Sequence, residues 1–110
     1  MILKNLTKKT VVSSDLKNTE SFSDQVLGLL NPANPRSLLF RTRFGLHTFG
    51  LKDSIDVLVL DSRWKVVKMC TGLKPNRLFF YNPLFPIVIE LPENSIINSK
   101  TAIGDLLSAT

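Results

Sequence analysis

Residues 55–70 narrow the choice of fold more than any other part of this chain. Ile55, Val57 and Val59 alternate with Asp56, Leu58 and Leu60, so a strand here is apolar on both faces apart from one acid. A strand with two apolar faces belongs in the middle of a sheet that is covered on both sides. Asp61-Ser62-Arg63 supplies a hairpin turn, and Trp64 to Cys70, with Val66, Val67 and Met69, supplies the returning strand.

The rest of the chain reads as short elements between strong turn signals. Residues 1–20 are polar and lack a sustained period, so fraying is expected there, with Thr10-Val11-Val12 as the core of a short strand. Phe22, Val26, Leu29 and Leu30 fall on one side of a helix over 21–30, which Asn31-Pro32-Ala33-Asn34-Pro35 ends. Ser37 to Arg41 and Leu46 to Leu51 read as strands. Pro75, Pro83 and Pro86 bracket Leu78-Phe79-Phe80-Tyr81, where pairing must be brief or at an edge. Ile87 to Leu91 is a strand ended by Pro92-Glu93-Asn94, Ser95 to Ser99 fits one helical turn, and the tail Thr101 to Leu107 ends in a closing strand. The fold class that follows is mainly β (α+β): a small compact barrel or sandwich of short, mostly antiparallel strands with one short N-terminal helix.

At 110 residues one core and one domain are expected. The longest apolar runs are far below the roughly 18 residues of a membrane-spanning helix, and the first residues lack the apolar stretch of a secretory signal, so the expected address is the cytoplasm. Cys70, the one cysteine, is expected to act as a small buried hydrophobe. Fourteen basic against nine acidic residues give a formal net charge of +5. The basic residues read as scattered singly and in pairs, as on an ordinary solvated surface.

His47-Thr48-Phe49-Gly50-Leu51, followed by Ile55-Asp56-Val57 and Leu60-Asp61, resembles domain-of-unknown-function family 192, also called uncharacterised protein family 0127. Further segments match in order: Gly28-Leu29-Leu30, Leu38-Leu39-Phe40, Val66-Val67, Leu73 to Arg77, Ile89-Glu90-Leu91-Pro92 and Gly104-Asp105. The resemblance spans about residues 21–107, and its specificity lies in the ordered series. Leu51 stands where the family usually has methionine, Asn94 where it often has glycine, and Gln25-Val26-Leu27 where an arginine often precedes the Gly-Leu pair. The resemblance implies a prokaryotic family with no settled activity.

Four residues compose the expected ligand pocket: His47, Thr48, Asp56 and Arg77. His47 is the one histidine, suited to proton transfer near neutral pH, although a lone histidine is commonly a core or rim residue bonded to backbone. Asp56 between apolar neighbours needs a partner: loop backbone amides or Thr48, with Arg77 as the natural cation for it or for an anionic ligand, or else an ordinary solvated arginine. The aromatics after Arg77 could stack on single-stranded bases, yet their apolar density reads as core. No catalytic residue, metal site or cofactor is assigned, since no nucleophile elbow, phosphate loop or ligand-spaced His/Cys set occurs. The expected function is a non-enzymatic binding or accessory domain for a small ligand or protein. A single-stranded nucleic-acid binder and a hydrolase or isomerase using His47 and Asp56 are the alternatives. Oligomeric state is left open.

Overall fold

The computed structural model describes residues 1–18, 37–41, 46–48, 51 and 53–110, with the backbone alone at Phe40, Leu46 and His47. Its strands are β1 (Leu3–Asn5), β2 (Thr10–Ser13), β3 (Leu16–Asn18), β4 (Ser37–Arg41), β5 (Leu46–His47), β6 (Ile55–Leu60), β7 (Val66–Leu73), β8 (Leu78–Phe79), β9 (Ile87–Pro92) and β10 (Leu107–Ala109), with one helix, α1 (Ser95–Ser99). They form a three-stranded sheet ordered β10-β1-β2, a five-stranded sheet ordered β3-β4-β9-β6-β7 and a two-stranded ribbon β5-β8. Every pairing between these strands is antiparallel except β3 with β4.

The apolar character of β6 on both faces has a direct cause: all six of its residues are buried and both of its edges are paired. β9 holds the centre of the sheet, with β6 next to it. On one face Leu58 and Leu60 join Leu39, Ile89 and Leu91 against Leu3, Val12 and Leu107 of the smaller sheet and Ile96 of α1. On the other, Ile55, Val57, Val59 and Val88 meet Leu51, Phe79, Tyr81 and Phe85. The architecture is thus a mainly β sandwich, and among the described residues no ring of strands closes into a barrel.

The turn between β6 and β7 is built by the aspartate that the sequence marks. Asp61 Oδ1 accepts the amides of Arg63 (2.9 Å) and Lys65 (3.0 Å), and Trp64 takes the left-handed position with φ 67. Residues 1–18 depart from the expected fray. Leu3 is fully buried, Ile2 and Thr110 exchange backbone hydrogen bonds, and the Met1 ammonium donates to the Leu16 carbonyl at 2.9 Å. The Ile2–Thr110 bonds run to the far end of the chain, where local periodicity cannot reveal them. The helix expected over 21–30 lies outside the described residues; α1 occupies the turn expected at Ser95 to Ser99 near the other end.

Asn94 precedes α1 with φ 77, a left-handed geometry that asparagine tolerates and alanine does not. Asn94→Ala is expected to lose about 1 kcal/mol, while Asn94→Gly stays close to the parent protein, as read from urea midpoints. Equal midpoints for the two variants would contradict that geometry.

Candidate functional site

Asp56 is fully buried on β6, and each of its carboxylate oxygens accepts a backbone amide. Oδ1 accepts from Gly72 on β7 at 3.0 Å, and Oδ2 accepts from Ile96 in the first turn of α1 at 2.9 Å. α1 has no side-chain cap of its own and no acid in its first turn, so Asp56 provides the missing acceptor and the negative charge from a distant strand. Gly72 has φ +64 where the β6–β7 register shifts, and Asp56 fixes that irregular stretch against the sheet.

Thr48 is equally buried but braces a different region. Its hydroxyl donates to the Lys74 carbonyl at 2.7 Å and accepts the Arg77 amide at 2.8 Å. Its own amide donates to the Arg77 carbonyl, and its carbonyl accepts from Asn76. Proline at the second position and left-handed Asn76 (φ 60) at the third give Lys74-Pro75-Asn76-Arg77 the pattern of a type II turn.

The structure therefore joins Thr48 to Arg77 through main chain and places Asp56 elsewhere. Side chains alternate along a strand, so Asp56 faces away from Ile55 and Val57, which pack with Phe79 and Tyr81 beyond β8. Its carboxylate lies on the α1 side, while Thr48 and the 74–77 turn lead into β8 on the opposite side of the sheet. Of the alternatives, backbone amides hold Asp56 and Arg77 is solvated; the pair between the two is not formed. Arg77 is exposed, and its guanidinium makes a long 3.5 Å contact to the Asn76 carbonyl. Burial in backbone bonds has already satisfied the acid, which removes the need for that cation. The imidazole of His47 lies outside the described residues; its backbone pairs with Leu78.

The aromatic string also departs from expectation. Tyr81 is buried, but Leu78 is 58% exposed, Phe80 66% and Leu84 76%. Residues 78–81 alternate outward and inward like a strand over the sheet, so only half of the string belongs to the core. Lys68 of β7 anchors the segment: its Nζ sits 4.9 Å from the centre of the Phe79 ring and donates to the Phe80 carbonyl at 2.8 Å.

Cys70 is half-buried rather than fully covered. Burial pushes its thiol above its ordinary pKa, the charge of Asp56 pushes in the same direction, and Lys68 opposes them without reversing the shift. A thiol held protonated is a poor nucleophile. Among the described residues no group of three His, Cys, Asp or Glu side chains could hold a metal ion, and no helix is long and apolar enough to cross a membrane.

A second buried acid has no counterpart in the pocket expected from sequence. Asp105 accepts from Asn5 Nδ2 (2.9 Å), from the Ala102 amide (2.9 Å) and from Lys8 Nζ through both oxygens (3.0 and 2.9 Å). Asn5 also donates to Thr101, whose hydroxyl meets that of Ser99 at 2.7 Å. The Gly104-Asp105 match hinted at this position, but its side-chain partners, Asn5 and Lys8, come from about a hundred positions earlier. Asp105 bolts the N-terminal hairpin to the C-terminal segment.

Comparison with known proteins agrees with this framework. No protein-family model matches the chain. A solved protein of unknown function from Novosphingobium aromaticivorans superposes with a TM-score of 0.76 at 10% identity, covering 98% of this chain and 82% of that one. A solved putative transcription regulator from Sinorhizobium meliloti gives a TM-score of 0.68 at 14% identity, covering 97% of this chain and 89% of its own. At these identities the likeness is one of fold. A UPF0127 protein of Pyrococcus horikoshii is 30% identical over 107 residues, 92% of either chain. With the ordered segments around Asp56, Pro75 and Asp105 in place, the chain belongs to the uncharacterised prokaryotic protein family UPF0127.

Proposed function

We propose that this domain is a non-enzymatic binding or accessory module whose contact surface is the segment from Lys74 to Leu84, carried over the central sheet by Thr48 and Lys68. The observation that carries the reading is the placement of Asp56. Both of its oxygens hold backbone amides, and it faces the side of the sheet away from the segment that leads into β8. General acid or base work requires a carboxylate within hydrogen-bond reach of the proton it moves. A hydrolase or isomerase based on Asp56 would have to give up the brace on α1 to act. Among the described residues, one surface that offers a partner both apolar side chains and cations is the outward row of Leu78, Phe80 and Leu84 beside Lys74 and Arg77.

Purified protein assayed with chromogenic ester, phosphoester and amide substrates across roughly pH 5 to 9 is expected to give no turnover above buffer. Turnover that disappears in Asp56→Asn, at a temperature where circular dichroism shows that variant folded, would overturn the reading.

A further inference from the structure

The charge of this chain is not scattered. Residues 62–89 contain Arg63, Lys65, Lys68, Lys74 and Arg77 and no aspartate or glutamate, while the remaining residues balance at nine basic and nine acidic. The whole formal charge of +5 therefore resides in the stretch that makes β7, the 74–77 turn, β8 and the outward row of apolar side chains. All five cations lie on exposed residues. The bond from Lys68, the one cation within β7, to the Phe80 carbonyl ties β7 to the residue after β8 that carries the exposed ring, and Lys74 and Arg77 lie on the turn that leads into β8.

We propose that this surface binds single-stranded nucleic acid, which names the ligand of the binding reading above and rests on it. A nucleotide chain repeats an anionic phosphate and a flat apolar base in every unit. Lys68 of β7 with Lys74 and Arg77 of the 74–77 turn suit the first, and Phe80 flanked by Leu78 and Leu84 suits the second. A duplex would leave the apolar row facing phosphates, whereas splayed bases can stack on it. An acidic peptide matches the charge but has no repeating flat face to set on the ring.

Fluorescence polarisation with fluorescein-labelled oligothymidylate and oligouridylate of about 20 nucleotides, longer than the single-strand site of one small domain, tests this at several salt concentrations. Binding is expected at low salt, weakened about tenfold by Phe80→Ala with the fold unchanged. The double variant Lys74→Gln, Arg77→Gln is expected to flatten the slope of log K against log salt by about 1.4, since each lost phosphate contact removes about 0.7 for a single strand. Lys4→Gln with Lys17→Gln, removing two exposed cations outside the stretch, is expected to leave affinity and slope nearly as they were.

Absence of binding at low salt overturns the proposal. So does a loss in the Lys4/Lys17 variant as large as that in the Lys74/Arg77 variant. Labelled polyglutamate binding as tightly as the oligonucleotides also overturns it, while leaving the binding-module reading intact. Turnover removed by Asp56→Asn would instead be the failure of that reading.

Discussion

Asp56→Ala is expected to destabilise the protein by roughly 3–5 kcal/mol, because it strips the acceptor from two buried amides at once. The Gly72 N–H and the Ile96 N–H would both lose their partner, and α1 would lose its only anionic cap. For a domain of this size that corresponds to a fall in Tm on the order of 10–20 °C. Asp56→Asn is expected to recover little of the loss. A carboxylate is acceptor-only, whereas the amide turns one of the two oxygens into a donor facing an N–H. A Tm for Asp56→Asn within about 2 °C of the parent protein would show that the two backbone bonds do not hold the structure.

Asp105→Ala is expected to cost about 3–4 kcal/mol, since Asn5 and the Ala102 amide lose a buried acceptor. Lys8→Ala is expected to cost only about 1 kcal/mol, because the lysine side chain is 37% exposed and solvent screens the pair. Burial alone would raise the Asp105 pKa. The hydrogen bonds from Asn5, Lys8 and Ala102, with the charge of Lys8, outweigh that and hold it below the ordinary carboxylate value of 3.8. A carboxyl with a depressed folded pKa stabilises above its unfolded value, and that contribution disappears as the pH falls through the folded one. The parent protein should therefore lose stability from this group only as the pH drops below about 3.8. Asp105→Asn, less stable at neutral pH, should show a flatter acid limb. Parallel acid limbs in urea titrations of the two proteins would contradict the assignment.

The elements written in local pattern were legible before the structure. The β6–β7 hairpin, the edge character of β8, the β9 strand and the α1 turn each carry their own period or turn residues within a dozen positions. Of the N-terminal strands β2 was legible, as Thr10-Val11-Val12, whereas β1 was not, because Leu3 and Asn5 take their meaning from β10 and Asp105 at the other end of the chain. Asp56 was visible as an acid needing a partner, and backbone amides were among the partners considered. The choice among them depended on where α1 and the Gly72 irregularity fall in space.

Arg77 had two equal readings in the sequence, a partner for an anion and a solvated surface residue, and the structure shows the second. Charge complementarity suggested a pair with Asp56, but two amides already satisfied the acid and the arginine stayed in solvent. The surface row was hidden for another reason. Leu78 and Phe80 read as core by composition, and only the alternation against buried Tyr81 separates outward from inward positions. The charge segregation was present in the sequence throughout, as an absence of acids from 62 to 89 rather than as a cluster of bases.

Amide hydrogen exchange at Gly72 and Ile96 tests most directly whether Asp56 holds the frame and leaves binding to the opposite, exposed surface. In the parent protein both amides are expected to exchange as slowly as those of β6 and β9, and in Asp56→Asn both are expected to speed up ahead of the sheet. Fast exchange at Gly72 and Ile96 in the parent protein would mean that the carboxylate is not held by them, and would return Asp56 to the list of groups free to do chemistry.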